Sequence, residues 1–353
     1  MSRLSWPRAR RVEPAAPLTD EAQRWLETSE TIRRAVAGKG TIVAGPWLSE
    51  VGFEVLYWVP FLRFLVERFE IDPARIVIVS RGGTASWYQG IGSSYLDVFD
   101  YMTPAEFRAH MQARWDDLGG QKQDEFDKWD RAVLERAGGR LSWDRRSLLH
   151  PSLMYGLFRK FWKGGAPVDH VFGHTKVVRL PQPPQDEWTA KLPDEDYVAV
   201  KFYFRPSFPD VRANRAAVQQ AVARLTANTP VVALNTGLEL DDHAEAAIEA
   251  RDRVIPLLDG VPPNVNLHVQ SVAISRARAF VGTYGGLSYL APLYGIRSIA
   301  FYSDRRHFLS SHLAVARRAA IQTGGSLETV STRHTALLET LAPVDGRAEA
   351  VPA

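Results

Sequence analysis

Ser275-Arg276-Ala277-Arg278-Ala279-Phe280-Val281-Gly282-Thr283-Tyr284-Gly285-Gly286-Leu287-Ser288-Tyr289-Leu290-Ala291-Pro292-Leu293-Tyr294-Gly295 places a short apolar run against a glycine-rich turn and an apolar helical stretch. The run Ala279 to Gly282 reads as a buried strand, and the turn Thr283 to Gly286 opens a helix that reaches about Tyr294. Such a junction aims backbone N–H groups and the positive end of a helix dipole out of a sheet edge, a geometry suited to a diphosphate. Glycine allows close approach of the backbone, and Thr283 and Ser288 can add hydroxyl donors.

Working outward, the same alternation recurs on both sides. Ser298-Ile299-Ala300-Phe301-Tyr302 reads as the next strand. Upstream, Tyr197 to Phe204 reads as one long strand, Arg212 to Thr226 as an alanine-rich helix, and Val231 to Asn235 as a strand ending in Thr236-Gly237. Asp241 to Ala250 reads as a helix capped by its acids, Val254 to Leu258 as a short strand, and Ala273 to Arg278 as a short helix. Pro181, Pro183, Pro184 and Pro193 among acidic residues give 181–195 the composition of a linker. Before it, Thr41 to Ala44 and Arg75 to Ser80 bracket the apolar helical run Val51 to Phe69, a second βαβ unit. A leading helix is expected over 21–38; the charged stretch Thr103 to Gly139, with Trp115 and Trp129 and no obvious strand, and a short aromatic helix over Leu153 to Trp162 read together as a helical insertion over about 103–162. The pattern therefore predicts two open α/β domains, 41–180 and 196–340, after an N-terminal tail and helix (1–40) and before a disordered tail (341–353). Ligands are expected in the cleft between the carboxyl ends of their strands.

Composition agrees with a globular chain: of 353 residues, 45% are hydrophobic and 24% charged, enough to bury a sizeable core. Lys and Arg total 43 against 40 acids, a net charge of +3 that argues against a nucleic-acid partner. The chain has no cysteine, which excludes disulfides, thiolate metal sites and cysteine nucleophiles. The basic start MSRLSWPRARRV is followed by no apolar stretch of signal-peptide length, so a cytoplasmic protein is expected, with peripheral contact to an anionic membrane as one use of that tail.

The segment 275–302 resembles the C-terminal nucleotide-sugar site of GT-B glycosyltransferases, in their heptosyltransferase-like and fucosyltransferase-like branches. Where the heptosyltransferase pattern has an Asp-Ser/Thr-Gly-x-x-His turn, this chain has Thr283-Tyr284-Gly285-Gly286-Leu287-Ser288, without the Asp and with Ser288 near the His place. The resemblance covers about 195–305 and implies two Rossmann-like domains facing a central cleft. It implies a nucleotide-sugar donor on the second domain and a glycan or lipid-linked glycan acceptor on the first, as in bacterial surface polysaccharide assembly. No cofactor beyond the donor is expected. Asp194-Glu195-Asp196 matches an Asp-x-Asp metal signature but precedes a strand within the linker, so metal-independent transfer is expected.

Several residues are candidates for the chemistry. Lys201, Tyr203 and Arg205 alternate at the end of that long strand, a spacing that projects to one face within a strand, but Arg205 precedes Pro206 and is expected in the following loop. A guanidinium there can hold phosphate bidentately while Lys201 supplies a point charge. The resemblance gives basic residues at this place the neutralisation of the leaving diphosphate. Asn235, Thr236 and Gly237 end the next strand at the same edge, and Thr283, Tyr284, Gly285, Gly286 and Ser288 form the turn. Inverting transfer needs a base for the acceptor hydroxyl, and the resemblance places it in the first strand-to-helix loop of the first domain. Glu50 and Glu54, four apart and able to share a helical face, are the candidates, with Glu54 preferred because Gly52-Phe53 lets the chain pack beside it. Arg81 to Tyr88 combines a cation with Trp87 and Tyr88, which could stack on a sugar, a place in the core being the equal alternative for Trp87, and His150, His170 and His174 are further candidate bases. An epimerase on the same scaffold, with acids from both domains, and a non-catalytic carbohydrate-binding protein are the rival readings.

Overall fold

The computed structural model describes residues 19–119, 122–138, 147–238, 244–249, 251–257, 260–334 and 338. Both expected tails therefore lie outside the described residues, apart from the leading helix. That helix, α1 (Asp20–Ala37), starts where the Thr19 hydroxyl accepts the Ala22 amide and stops at Gly38.

Four parallel strands form the first sheet: β1 (Ile42–Ala44), β2 (Ile76–Ser80), β3 (Ser94–Asp97) and β4 (Ser147–Leu149), in the order β3-β2-β1-β4. Ile42 sits in register with Ile76 on one side and Ser147 on the other. The expectation of a helical insertion over about 103–162 is corrected at β4, whose three residues Ser147-Leu148-Leu149 add a strand beside β1; the run is too short to signal itself beside such charged neighbours. The helical character of the rest holds in α4 (Pro104–Leu118), α5 (Lys128–Arg136) and α6 (Ser152–Trp162). The run after β1 is helical throughout but not uniform. α2 (Val51–Phe53) passes into a wide π turn at Glu54–Trp58 before α3 (Val59–Arg68). All five residues of that turn are buried.

After a short helix α7 (Val168–Phe172), the second half carries β5 (Val198–Lys201), β6 (Tyr203–Phe204), α8 (Arg212–Thr226), β7 (Val231–Ala233), β8 (Ala244–Glu245) and β9 (Val254–Pro256). It ends with α9 (Asn266–Arg276), β10 (Ala279–Thr283), α10 (Leu287–Leu293), β11 (Arg297–Tyr302), α11 (Ser310–Thr323) and β12 (Ser326–Ser331). Six strands form one parallel sheet ordered β12-β11-β10-β5-β7-β9, the doubly wound order whose direction of winding reverses between β5 and β10. Two expectations are corrected here. The long strand 197–204 divides after Lys201, because β6 leaves the sheet to pair antiparallel with β8. The helix expected over 241–250 is a strand at Ala244–Glu245; residues 241–243 and 250 lie outside the described set.

One apolar core runs through both halves, joining Trp47, Phe53 and Trp58 to Leu267, Tyr289 and Leu293. No helix among the described residues is long and apolar enough to cross a membrane.

Candidate active site

The carboxyl edges of the two sheets face a common cleft. The second half lines it with Lys201, Tyr203 and Arg205 after β5, Thr236 and Leu238 after β7, Glu245 of β8, Asn266, Leu267 and Gln270 of α9, and Gly286 and Leu287 after β10. The first half contributes Glu50, Val51 and Gly52 after β1 and Arg81 after β2. The cleft thus opens at the winding reversal between β5 and β10, where open α/β sheets place ligands.

The alternation Lys201-Tyr203-Arg205 delivers all three side chains to this cleft. Tyr203 is held there although β6 has left the sheet: its amide donates to Thr283 Oγ1, and that hydroxyl donates back to the Tyr203 carbonyl, 3.0 and 2.9 Å. Arg205 Nη1 donates to the Tyr284 carbonyl at 3.3 Å, while its buried Nε has no hydrogen-bond partner among the described residues. Burial works against the guanidinium charge, and Tyr203 and Glu50 nearby outweigh it, so the group is held above its ordinary pKa. Gly285 is needed as glycine: its φ is +124°, and a Cβ would run into the Arg205 guanidinium.

The turn itself is used differently from expectation. Gly285 and Gly286 approach Arg205 and Tyr203, but the three side-chain hydroxyls named with them point inward. Thr283 is spent on Tyr203, Ser288 Oγ accepts the Gly285 amide at 3.0 Å, and Tyr284 donates to the Leu309 carbonyl while its ring stacks on Phe308 at 4.3 Å. Thr283, Tyr284 and Ser288 are all buried. They shape the turn, and the buried hydroxyls of Thr283 and Ser288 do not reach the cleft as the expected donors.

At the end of β7, Asn235 Nδ2 donates to the Ala246 carbonyl, leaving its buried Oδ1 without a partner among the described residues. Thr236 and Gly237 wrap around the carboxylate of Glu245. The Thr236 amide donates to it at 2.9 Å, the Thr236 hydroxyl at 2.9 Å and the Gly237 amide at 3.2 Å, and Lys201 Nζ forms an ion pair with it. Burial alone would raise the pKa of Glu245, but the Lys201 ammonium and the two amides hold the carboxyl below the usual value.

Across the cleft, Glu50 ends an extended residue at the start of α2 and makes no capping bond. Its loop is clamped from three sides: Gln123 Nε2 donates to the Pro46 carbonyl and Gln123 Oε1 accepts the Leu48 amide, Arg81 Nη2 donates to the Ser49 carbonyl, and the Tyr155 hydroxyl donates to Ser49 Oγ. Glu54 is elsewhere, which corrects the preference for it. The π turn carries its side chain into the core, where it is 0% exposed and Oε1 accepts from Ser80 Oγ and Tyr88 OH, both at 2.6 Å. Burial pushes its pKa up to about 7 despite those bonds. Glu50 and Glu54 do not share a cleft-facing side, because Glu50 precedes the helix.

The stacking platform is not formed, and Trp87 takes the core alternative. Trp87 is buried with Nε1 donating to Ser271 Oγ, and Tyr88 is buried against Glu54. His150 is buried beside Asp130, His170 bonds the Leu157 carbonyl and His174 packs on Trp25, all away from the cleft lining. Sequence reasoning missed Glu245, Gln270 and Asn266. The first fell in a stretch read as helix, and the other two lie in the first turns of α9, upstream of the short helix expected over Ala273 to Arg278.

Two Rossmann-like sheets opposed across a cleft are the GT-B architecture. No family model and no curated protein matches the chain. Among solved structures, it is similar over 84% of its length to 87% of a family 9 glycosyl transferase from Veillonella parvula, with 14% identity and a TM-score of 0.45. It is similar over 86% of its length to 97% of the ADP-heptose LPS heptosyltransferase II of E. coli, with 14% identity and a TM-score of 0.44. The glycosyltransferase SnogD from Streptomyces nogalater matches over 86% of this chain and 99% of its own, with 14% identity and a TM-score of 0.36.

Proposed function

We propose that this protein is a glycosyltransferase that moves a sugar from a nucleotide-sugar donor, bound at the carboxyl edge of the six-stranded sheet, to a glycan or lipid-linked glycan held by the first half. The observation that carries the reading is the pairing of cations with carboxylate across one cleft: Arg205 beside the Gly285-Gly286 turn, Lys201 at the end of β5 in the same cleft, and Glu50 facing them from the first half. In an inverting transfer the acceptor hydroxyl gives its proton to the Glu50 carboxylate as its oxygen bonds to the sugar's anomeric carbon. The bond from that carbon to the phosphate oxygen breaks, its electron pair leaves with the nucleoside diphosphate, and Arg205 and Lys201 neutralise the charge that develops. Cytoplasmic transfer without a metal ion, in assembly of a bacterial surface polysaccharide and next to the membrane, completes the reading.

Thermal unfolding with a panel of nucleoside diphosphates and nucleotide sugars tests it. A ligand at 100 times its Kd adds about 2.7 kcal/mol to the unfolding free energy. One nucleotide should stabilise the protein and lose its effect in Arg205→Ala; no shift with any of them overturns the reading. Glu50 and Glu245 also bring one acid from each half to the cleft, the arrangement an epimerase needs. Conversion of a nucleotide sugar in the absence of any acceptor would establish that second reading instead.

A further inference from the structure

Lys201, Thr236 and Gly237 form a nest for an anion, and the anion in it belongs to the chain. The Glu245 carboxylate takes the amides of Thr236 and Gly237, the Thr236 hydroxyl and the Lys201 ammonium at once. Successive main-chain amides converging with a cation are the usual way a protein holds phosphate. The same cleft also holds hydrogen-bonding capacity that nothing uses: among the described residues, neither Arg205 Nε nor the carbonyl oxygen of Gln270, a residue 2% exposed, has a partner. Glu245 reaches the nest from β8, whose ladder with β6 is only two residue pairs long, Tyr203 with Glu245 and Phe204 with Ala244. It is therefore tied by register to the strand that carries Tyr203 toward the cleft.

We propose that Glu245 is an internal stand-in for the donor's diphosphate, which binds by displacing this carboxylate from Lys201, Thr236 and Gly237. This rests on the cleft being a diphosphate site and adds what that reading does not contain, a residue that sets donor affinity by competing for the nest. A carboxylate and a phosphate cannot share these donors, because two anions at hydrogen-bonding distance repel and each needs the same N–H groups. While the cleft holds no donor, Glu245 satisfies the two amides and neutralises Lys201, so the nest stays formed. When a diphosphate arrives, it must outcompete one carboxylate, which selects for the more highly charged ligand and disfavours a monoanion.

Calorimetric titration of the full chain with inorganic pyrophosphate, ADP, UDP and GDP, in wild type, Glu245→Gln and Lys201→Ala, tests this. Removing the competing charge should tighten binding of pyrophosphate, and of whichever nucleotide binds, by about tenfold in Glu245→Gln, the scale of one charge-assisted hydrogen bond. Lys201→Ala should weaken it. If Glu245→Gln does not fold, Glu245→Asp, which keeps the charge but falls short of the two amides, is expected to shift affinity the same way. Binding to wild type that is unchanged or weakened in the Glu245 variants overturns the displacement and leaves the diphosphate site standing. Absence of binding to wild type and to both Glu245 variants removes the diphosphate site itself.

Discussion

Gly52 and Gly286, one from each half of the molecule, meet at the rim of the cleft: a Cβ on Gly52 would stand 3.3 Å from the Gly286 amide nitrogen and 3.2 Å from Tyr289 Cδ2. In an isolated helix Ala is preferred to Gly by about 1 kcal/mol. Here the sign should reverse, because the added methyl meets backbone that cannot yield without moving the two halves apart. Gly52→Ala is expected to lose about 1–3 kcal/mol in urea unfolding, the usual scale of overpacking. A variant as stable as wild type or more stable would show that the halves do not press on each other here.

Glu54 should give the protein an unusual pH dependence. Its folded pKa of about 7 lies above the 4.5 of an ordinary glutamate, so the folded state holds the proton more tightly than the unfolded chain. The stability this contributes is complete below about pH 4.5 and is lost as pH rises through 7, up to about 3 kcal/mol. Glu54→Gln keeps an acceptor for Ser80 and Tyr88 but cannot ionise. The difference in unfolding free energy between wild type and Glu54→Gln should move against wild type between pH 5 and pH 8; a difference that is flat with pH would contradict the assignment.

Arg205 tests the fork rather than the charge alone. Loss of a charge-assisted pair costs about 1.5–3 kcal/mol, so Arg205→Ala should weaken nucleoside diphosphate binding by roughly 10- to 100-fold. Arg205→Lys keeps the charge but not the planar fork beside Gly285, and should recover little of that loss. Full recovery by Lys, read by calorimetry, would reduce Arg205 to a source of potential.

Glu50 separates chemistry from binding. As the base it should contribute about 10²–10⁴ to turnover, so Glu50→Gln is expected to lose that much in kcat while donor affinity is retained. Parallel loss of donor binding would make Glu50 an organiser of the loop clamped by Gln123, Arg81 and Tyr155 instead.

Tyr57 and His312 tie the two halves behind the cleft. The Tyr57 hydroxyl and His312 Nδ1 share a hydrogen bond at 2.7 Å, and burial lowers the imidazole's pKa to about 4, keeping it neutral. Tyr57→Phe strands that buried ring nitrogen and should cost about 1–3 kcal/mol in chemical unfolding. The His312 contribution has the opposite sign to that of Glu54: it is present above pH 6.5 and lost as pH falls toward 4. An unchanged unfolding midpoint in Tyr57→Phe would mean the contact is not made in solution.

Much of the architecture was legible because it is written in short-range signals. Apolar runs such as Ile76 to Ser80 and Val231 to Ala233, broken by glycine-bearing turns, mark buried parallel strands whatever surrounds them, whereas Tyr203 reaches the edge beside Lys201 through its bonds to Thr283 after β6 has left the sheet. Tertiary packing decided what those signals do not encode. β4 and β8 are too short to be read without the strands they join, since two or three residues become a strand only through a partner's hydrogen bonds. Glu50 and Glu54 are indistinguishable as letters four apart. A π turn and the pull of Ser80 and Tyr88 put one in the core, and a loop clamped by residues from distant segments puts the other in the cleft. The nest after β7 is likewise visible as Asn-Thr-Gly, but that its occupant is Glu245 follows only from the chain folding back beside Tyr203. The sequence by itself determined two α/β sheets and a basic, glycine-lined edge, because periodicity and turn chemistry act locally. Which carboxylate meets that edge was left to the three-dimensional neighbours that bury one acid and position another.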